Sequence, residues 1–392
     1  MAMYTRSLQL PAQSFFLLGP RGTGKSTWVR QQVPQALEID LLRTHEFLRL
    51  QQDPGLLRSR VLGAEPGSWI FIDEIQKLPE LLDEVHSLLS LPNASYRFVL
   101  TGSSARKLKR AGANLLAGRA LTRKMSPLLW DECGGDYDLD RQLALGCLPR
   151  IVATRQSPEA WDLLEAYVAT YLQEEIQQEA AVKNLSSFSR FLTVAALMHG
   201  QRVNVASMAR DCGVARPTVQ GYFQVLTDTL LGSLLPAWQG KVRVKEVGHP
   251  KFYYFDNGVV RTLLNRHRDV PSDSERGTLF EGHVLHQLRG FTETRQLAGE
   301  WHYWASAAGQ EIDFVWVRGK RAVGFEVKAS TRWRSEYSDS LKLAVLEGKL
   351  ESAWGVYLGQ EVLQDGPVRI LPVGDFLKLL CEGKILAEKS GV

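Results

Sequence analysis

Gly19-Pro20-Arg21-Gly22-Thr23-Gly24-Lys25-Ser26 decides the fold. The octapeptide has the form G-x-x-x-x-G-K-[ST], follows the apolar run Phe15-Phe16-Leu17-Leu18, and precedes a predicted helix from Thr27 to Gln32. Strand, glycine-rich loop and helix in that order build a phosphate-binding loop. The glycines let backbone N–H groups turn onto the phosphates, and the helix N-terminus adds the positive end of its dipole. Lys25 is expected to reach the β- and γ-phosphates and the Ser26 hydroxyl to ligate Mg²⁺, with Gly19 through Thr27 as the nucleotide-binding set. A solvated glycine turn can match the pattern by chance, but then no strand need precede it and no helix follow. The expected ligands are ATP and Mg²⁺.

A second apolar run, Trp69-Ile70-Phe71-Ile72, ends in Asp73-Glu74, some 50 residues further on. A buried strand closing on two acids is the Walker B arrangement, in which the first acid holds Mg²⁺ through water and the second polarises the attacking water. Asp73 takes the first role and Glu74 the second, as catalytic base. The plainer alternative is an acidic cap on the next helix. A third run, Phe98-Val99-Leu100, leads into Thr101-Gly102-Ser103-Ser104, which puts small polar groups near the γ-phosphate. Ser103 is the candidate sensor, with Thr101 and Ser104 beside it, unless the group simply caps a helix from Ala105.

At 392 residues the chain is long for one core, and alternating strands and helices predict an α/β protein with a parallel sheet. The formal charge of +4 permits nucleic-acid binding without demanding it. The four cysteines, Cys133, Cys147, Cys212 and Cys381, form no C-x-x-C pair, which fits neither a disulfide framework nor a zinc site. With no signal-peptide pattern at the N-terminus and no run of roughly 18 apolar residues, a cytoplasmic protein without a membrane partner is expected. From Trp130 to about Lys183 the pattern turns helical, including Pro158 to Ala181, as in a lid.

These stretches resemble the AAA-type ATPases of bacteria and archaea that carry a C-terminal domain of unknown function. The resemblance rests on Leu18 to Ser26, Phe71 to Pro79, and Leu100 to Arg119. It implies an ATPase core (1–127), a helical lid (128–183), a winged helix (184–247) and a restriction-endonuclease-like α/β domain (248–392). It also implies that Arg119 is an arginine finger acting on a neighbour's nucleotide, hence a homo-oligomer, with Arg123 as the rival. Arg150, in Gly146-Cys147-Leu148-Pro149-Arg150, is the second residue that reads nucleotide state by the same resemblance.

Val205 to Cys212, Gly213-Val214, and Pro217 to Leu226 read as helix, tight turn, helix. Met208, Ala209, Cys212, Val214, Val219, Phe223 and Leu226 are the predicted shared core. Arg216, Thr218, Gln220 and Gln224 face outward on the second helix. The alternating Lys241-Val242-Arg243-Val244-Lys245 sets Lys241, Arg243 and Lys245 on one strand face. Contact with DNA phosphates, without base-specific readout, is the expected use, and docking of a protein is the alternative.

In the last third, Ile312 to Val317 and Ala322 to Lys328 are two strands around Arg318-Gly319-Lys320-Arg321. A two-residue turn at Gly319-Lys320 sets Asp313 opposite Glu326, with Lys328 on the same face. A helix from Ser274 to Arg289 carries Glu281 beside its apolar stripe. Glu281, Asp313, Glu326 and Lys328 resemble a PD-(D/E)xK nuclease site, in which three carboxylates hold Mg²⁺ and a lysine orients water. The alternative is a solvated hairpin with a cross-strand ion pair. The leading expectation is an oligomeric, Mg²⁺-dependent ATPase acting on branched or otherwise structured DNA, with metal-dependent cleavage at this face. The runner-up is a nucleotide-driven protein-interaction switch with a non-catalytic nuclease-like domain.

Overall fold

The computed structural model describes residues 4–92, 95–104, 116, 118–172, 184–239 and 248–386. Strands β1 (Phe15–Leu18), β2 (Leu37–Asp40), β3 (Trp69–Asp73), β4 (Arg97–Gly102) and β5 (Leu121–Lys124) form one parallel sheet in the order β2-β3-β4-β1-β5. Alternation along β1 sends Phe15 and Leu17 to a core with Trp28 and Val29 of the helix Lys25–Gln32. Phe16 and Leu18 point the other way, onto the layer built by the helices Thr44–Gln52, Gly55–Leu62 and Leu81–Leu89. Because β1 lies between β4 and β5, the loop after it opens at the carboxyl end of the sheet, where a parallel α/β sheet binds ligand.

Short helices follow at Trp130–Cys133, Leu139–Leu145, Pro149–Ala153 and Ser157–Ala166. The helix anticipated from Pro158 to Ala181 widens into a π-helical turn at Tyr167–Leu172, and its remainder lies outside the described residues. Helices Leu185–Leu197, Val205–Cys212 and Arg216–Asp228 come next, with a three-stranded sheet ordered β6 (Gln201–Arg202), β8 (Lys251–Tyr254), β7 (Gly232–Leu235). Asn204 caps the second of these helices by accepting from Ser207 N, and Gly213 ends it at φ 66°. All seven core residues anticipated for the helix pair lie in or against one cluster.

Two boundaries differ from expectation. Residues 251–254 are the central strand of the middle sheet, so a domain cannot begin at 248. Phe252, Tyr254, Val259 and Val260 belong to the same core as Phe191 and Phe223. Leu145, Leu148, Ile151 and Leu164 join that core too, so the helices after residue 128 and the middle unit are one packed body. Aromatic β8 reads as part of a later sheet because 240–247 separate it from β7 in sequence.

The C-terminal sheet runs β13 (Leu363–Asp365), β14 (Val368–Pro372), β12 (Ser352–Tyr357), β11 (Arg321–Lys328), β10 (Glu311–Arg318), β9 (Glu300–Ala305). Helices Asp273–Thr294 and Val373–Cys381 pack on one face, and Asp339–Leu346 on the other. The helix Asp273–Thr294 lies flush against its neighbours at two glycines. A Cβ on Gly282 would stand 2.4 Å from His199 Nε2, and one on Gly290 2.2 Å from Leu129 Cδ2. Among the described residues no helix is long and apolar enough to cross a membrane.

Candidate nucleotide site and the C-terminal carboxylate face

The glycine-rich loop has the backbone its sequence requires. Gly22 and Gly24 sit at φ 77° and 90°, a region that side chains disfavour. Gly19 passes so close to β5 that a Cβ would lie 2.2 Å from Met125 O. Lys25, buried, donates from Nζ to Gly19 O (2.8 Å) and Pro20 O (3.0 Å), folding over the cradle in which phosphates would sit. Ser26, Asp73, Glu74 and Thr101 meet at the carboxyl end of the sheet. Ser26 Oγ donates to Asp73 Oδ1 at 2.8 Å, Thr101 Oγ1 also donates to Asp73, and Glu74 N donates to Thr101 Oγ1 at 3.2 Å. Burial pushes the Asp73 carboxyl up, while the Thr101 and Ser26 hydroxyls pull it back. A hydroxyl and a carboxylate in contact beside a lysine suit an octahedral Mg²⁺ that keeps most of its waters.

Glu74 adopts φ 61°, the left-handed region, which is costly for a residue with a side chain. Gln76 Nε2 donates both to the Glu74 carboxylate and to Ser103 Oγ, the latter at 2.9 Å. Ser103 is therefore tied to the candidate base through Gln76, whereas Thr101 is the strand-end hydroxyl that touches Asp73 directly. Arg119 is exposed before β5, with Nη1 3.0 Å from His86 Nε2. Arg150 is exposed on the helix Pro149–Ala153, and Arg123 donates to Thr122 O.

The helical segment stands on the loop. Tyr167 OH donates to Arg21 O at 3.1 Å, and a Cβ on Gly22 would touch Tyr167 and Leu148. Arg6 donates to Thr23 O (2.7 Å) and Ser126 O (2.6 Å) and pairs with Glu132 at 2.9 Å. Gly146 runs at φ 80°, and Asp256 fills the space beside it, with Oδ1 2.0 Å from where a Cβ would be. A cavity of about 100 Å³ separates Gly19-Pro20 from β8 and from Gly282 to Glu293 of the long helix. His286, at its edge, is held to a pKa of about 4 by burial.

On the C-terminal face the strand register is the one anticipated. Arg318 pairs with Arg321 across Gly319-Lys320, and Phe314 with Phe325, which sets Asp313 opposite Glu326. A bulge between Ile312 and Val315 against β9 falls at Asp313. Lys328 Nζ lies 2.5 Å from Glu326 Oε1 and 3.8 Å from Asp313 Oδ2, and Asp313 Oδ2 also accepts from Val327 N. Glu281 faces the same group: burial and the Asp313 charge raise its pKa, and the same two causes push Glu326 well above the carboxylate range.

The open, solvated three-carboxylate ion site expected from Glu281, Asp313 and Glu326 is not what the fold presents. Among the described residues no three acidic, histidine or cysteine side chains are arranged to hold a metal ion. Asp313 and Glu326 are buried, and a lysine from the middle sheet occupies the space. Lys251 Nζ pairs with Glu281 Oε1 at 3.1 Å and with Glu311 Oε1 at 2.6 Å, while Tyr253 OH donates to Glu281. The residues anticipated for DNA contact divide in two. Arg216 and Gln220 are exposed and Thr218 half-buried on the helix Arg216–Asp228, while Lys241, Arg243 and Lys245 lie outside the described residues.

Sequence reading missed Arg6, Gln76, Tyr167, Asp256, Lys251 and Glu311. Only Lys251 carried a signal, a lone cation heading the aromatic run Phe252-Tyr253-Tyr254-Phe255.

Sheet order, loop and Walker acids make the N-terminal part an AAA-type P-loop nucleoside triphosphatase domain, and residues 12–134 match the AAA domain family. Residues 136–269 and 276–376 match two domains of unknown function, DUF8612 and DUF4143. Uncharacterized proteins of Mycobacterium tuberculosis and Mycobacterium bovis are each 28% identical over 348 residues, 88% of this chain and 76% of theirs. The structure of the Aeropyrum pernix ORC2 protein with ADPNP and ADP is similar over 66% of this chain and 87% of its own, at 11% identity and a TM-score of 0.37.

Proposed function

We propose that the chain is an Mg²⁺-dependent ATPase that works as a homo-oligomer on branched or otherwise structured DNA. The observation that carries the ATPase half is the meeting of Ser26, Asp73, Thr101 and Glu74 at the carboxyl end of the sheet, below a loop over which Lys25 folds. Ser26 and Asp73 would hold Mg²⁺, which neutralises charge on the transferring phosphoryl group. Lys25 would release Gly19 O and Pro20 O to take the phosphates. Glu74, oriented by Gln76, would accept the proton of the attacking water, and Arg119 would serve the adjoining subunit.

The DNA half rests on the middle unit. A helix, a short strand, two helices and a hairpin ordered β6-β8-β7 support its reading as a winged helix. Its third helix, Arg216–Asp228, shows Arg216, Gln220 and Gln224 to solvent. One cation among three polar groups suits phosphate contact rather than base readout. The mixed β9–β14 sheet with Asp313, Glu326 and Lys328 on one face supports a restriction-endonuclease-like fold. The test is ATP turnover with duplex, single-stranded and junction DNA at several salt concentrations. Turnover should rise most with junction DNA, and replacing Lys241, Arg243 and Lys245 together should flatten the salt dependence of binding.

The pairing of Lys251 with Glu281 and Glu311 favours a second reading, a nucleotide-driven switch that docks proteins. Turnover indifferent to every DNA form, with no DNA retained at low salt, would select it.

A further inference from the structure

The carboxylate face has a resident cation, and it belongs to another part of the chain. Lys251 heads β8 and is 5% exposed at the side chain, between Glu281 and Glu311 and 5.5 Å from the Tyr303 ring centre. Burial works to lower its pKa, but Glu281, Asp313 and Glu311 outweigh it and hold the ammonium above its ordinary value. A buried ammonium is tolerated only where such partners meet it. Tyr253, two residues along and on the same side of the strand, donates to Glu281, and Arg202 of β6 pairs with Glu311 Oε2 at 2.6 Å.

The neighbouring backbone fixes the insertion. Trp238 N donates to Tyr303 O at 2.6 Å, Tyr303 N to Pro236 O at 3.1 Å, and Tyr303 OH to His249 O. The chain on either side of 240–247 is thereby stitched to β9. Four acids, Glu281, Glu311, Asp313 and Glu326, face Lys251, Lys328 and Arg202. Glu326 Oε2 remains buried with no hydrogen-bond partner. The cluster is thus rich in buried oxygen ligands whose balance depends on a cation that the middle sheet delivers.

The geometry points to an autoinhibitory contact: the β8 strand plugs the carboxylate face with Lys251, which supplies the counter-charge a divalent cation would otherwise bring. The face becomes a cation site only when the Lys251 ammonium leaves it. The contact goes beyond nucleotide hydrolysis and stands whether or not the chain acts on DNA.

The test uses the full chain without nucleotide and Mn²⁺ as the probe, followed by electron paramagnetic resonance. The wild type should show no Mn²⁺ site that depends on Glu281. Lys251→Met should gain one, about tenfold or more tighter than any wild-type binding, since an opposing buried charge has been removed. Adding Glu281→Gln should abolish it, and affinity for a fluorescent ATP analogue should stay unchanged throughout. Lys251→Gln, which keeps a hydrogen-bond donor, serves if the methionine variant does not fold. Wild-type lysines are also labelled by an amine-reactive reagent and read by mass spectrometry, with Lys251 protected relative to exposed Lys320. A folded Lys251 variant without the new site overturns the proposal. So does a wild type that binds Mn²⁺ through Glu281 while Lys251 stays protected.

Discussion

Asp256→Asn should erase a pH dependence that belongs to the joint between the helical segment and the middle unit. Asp256 is buried, accepts from Cys147 N at 2.6 Å and Val259 N at 3.2 Å, and caps the helix Asn257–Leu263. Burial pushes its pKa up to about 6 from an ordinary 3.8, against the pull of those amides. At roughly 1.36 kcal/mol per pH unit this corresponds to about 3 kcal/mol. Between pH 3.8 and about 6 the folded chain keeps a proton that the unfolded chain has released. The associated stability is therefore complete below that window and is lost as pH rises through it. The amide variant has no proton to release. Its one carbonyl also leaves an N–H less well met, an offset that does not vary with pH. Urea unfolding followed by tryptophan fluorescence, run on both chains from about pH 4 to 7.5, gives the difference curve. That difference should change by about 3 kcal/mol across the window. Parallel curves would refute the proton-holding Asp256.

Glu74→Gln should leave ATP binding intact and lower turnover by about two to four decades, the usual worth of a positioned base. Lys25→Ala should instead weaken binding itself, and equal loss of affinity in both, measured with a fluorescent analogue, would count against the assigned roles. Arg119→Ala should be inactive alone yet recover turnover when mixed with Glu74→Gln, because each subunit supplies what the other lacks. No recovery after verified subunit exchange would place Arg119 outside the reaction.

The nucleotide loop was legible because its demands are local. Glycines at φ 77° and 90°, a lysine and a serine must occur at fixed spacing, so the string carries the geometry. The C-terminal hairpin was legible for a similar reason, since a two-residue turn sets Asp313 against Glu326 without reference to anything else. What escaped is made by distant segments. Arg6 joins Thr23, Ser126 and Glu132, and Gln76 reaches Ser103 across neighbouring strands. Lys251 was misplaced by its domain: it opens the C-terminal part in sequence, yet it stands in the middle strand of the preceding sheet. Period-two alternation gives a strand's faces but not its partners, so the lone cation heading the aromatic run could be noticed but its place in the carboxylate face could not.

The helix Asp273–Thr294 is shared by two sites of the molecule. Glu281 and Arg289 on it are eight residues apart, about 12 Å along a rod with roughly 1.5 Å rise per residue. Residues from Gly282 to Glu293 line the cavity beside Gly19-Pro20, and Glu281, just before them, is the acid that grips Lys251. With glycines at 282 and 290 lying flush against His199 and Leu129, the rod has bare tracks where it meets its supports. A single continuous helix therefore lines the room beside Gly19-Pro20 and carries the acid of the carboxylate face.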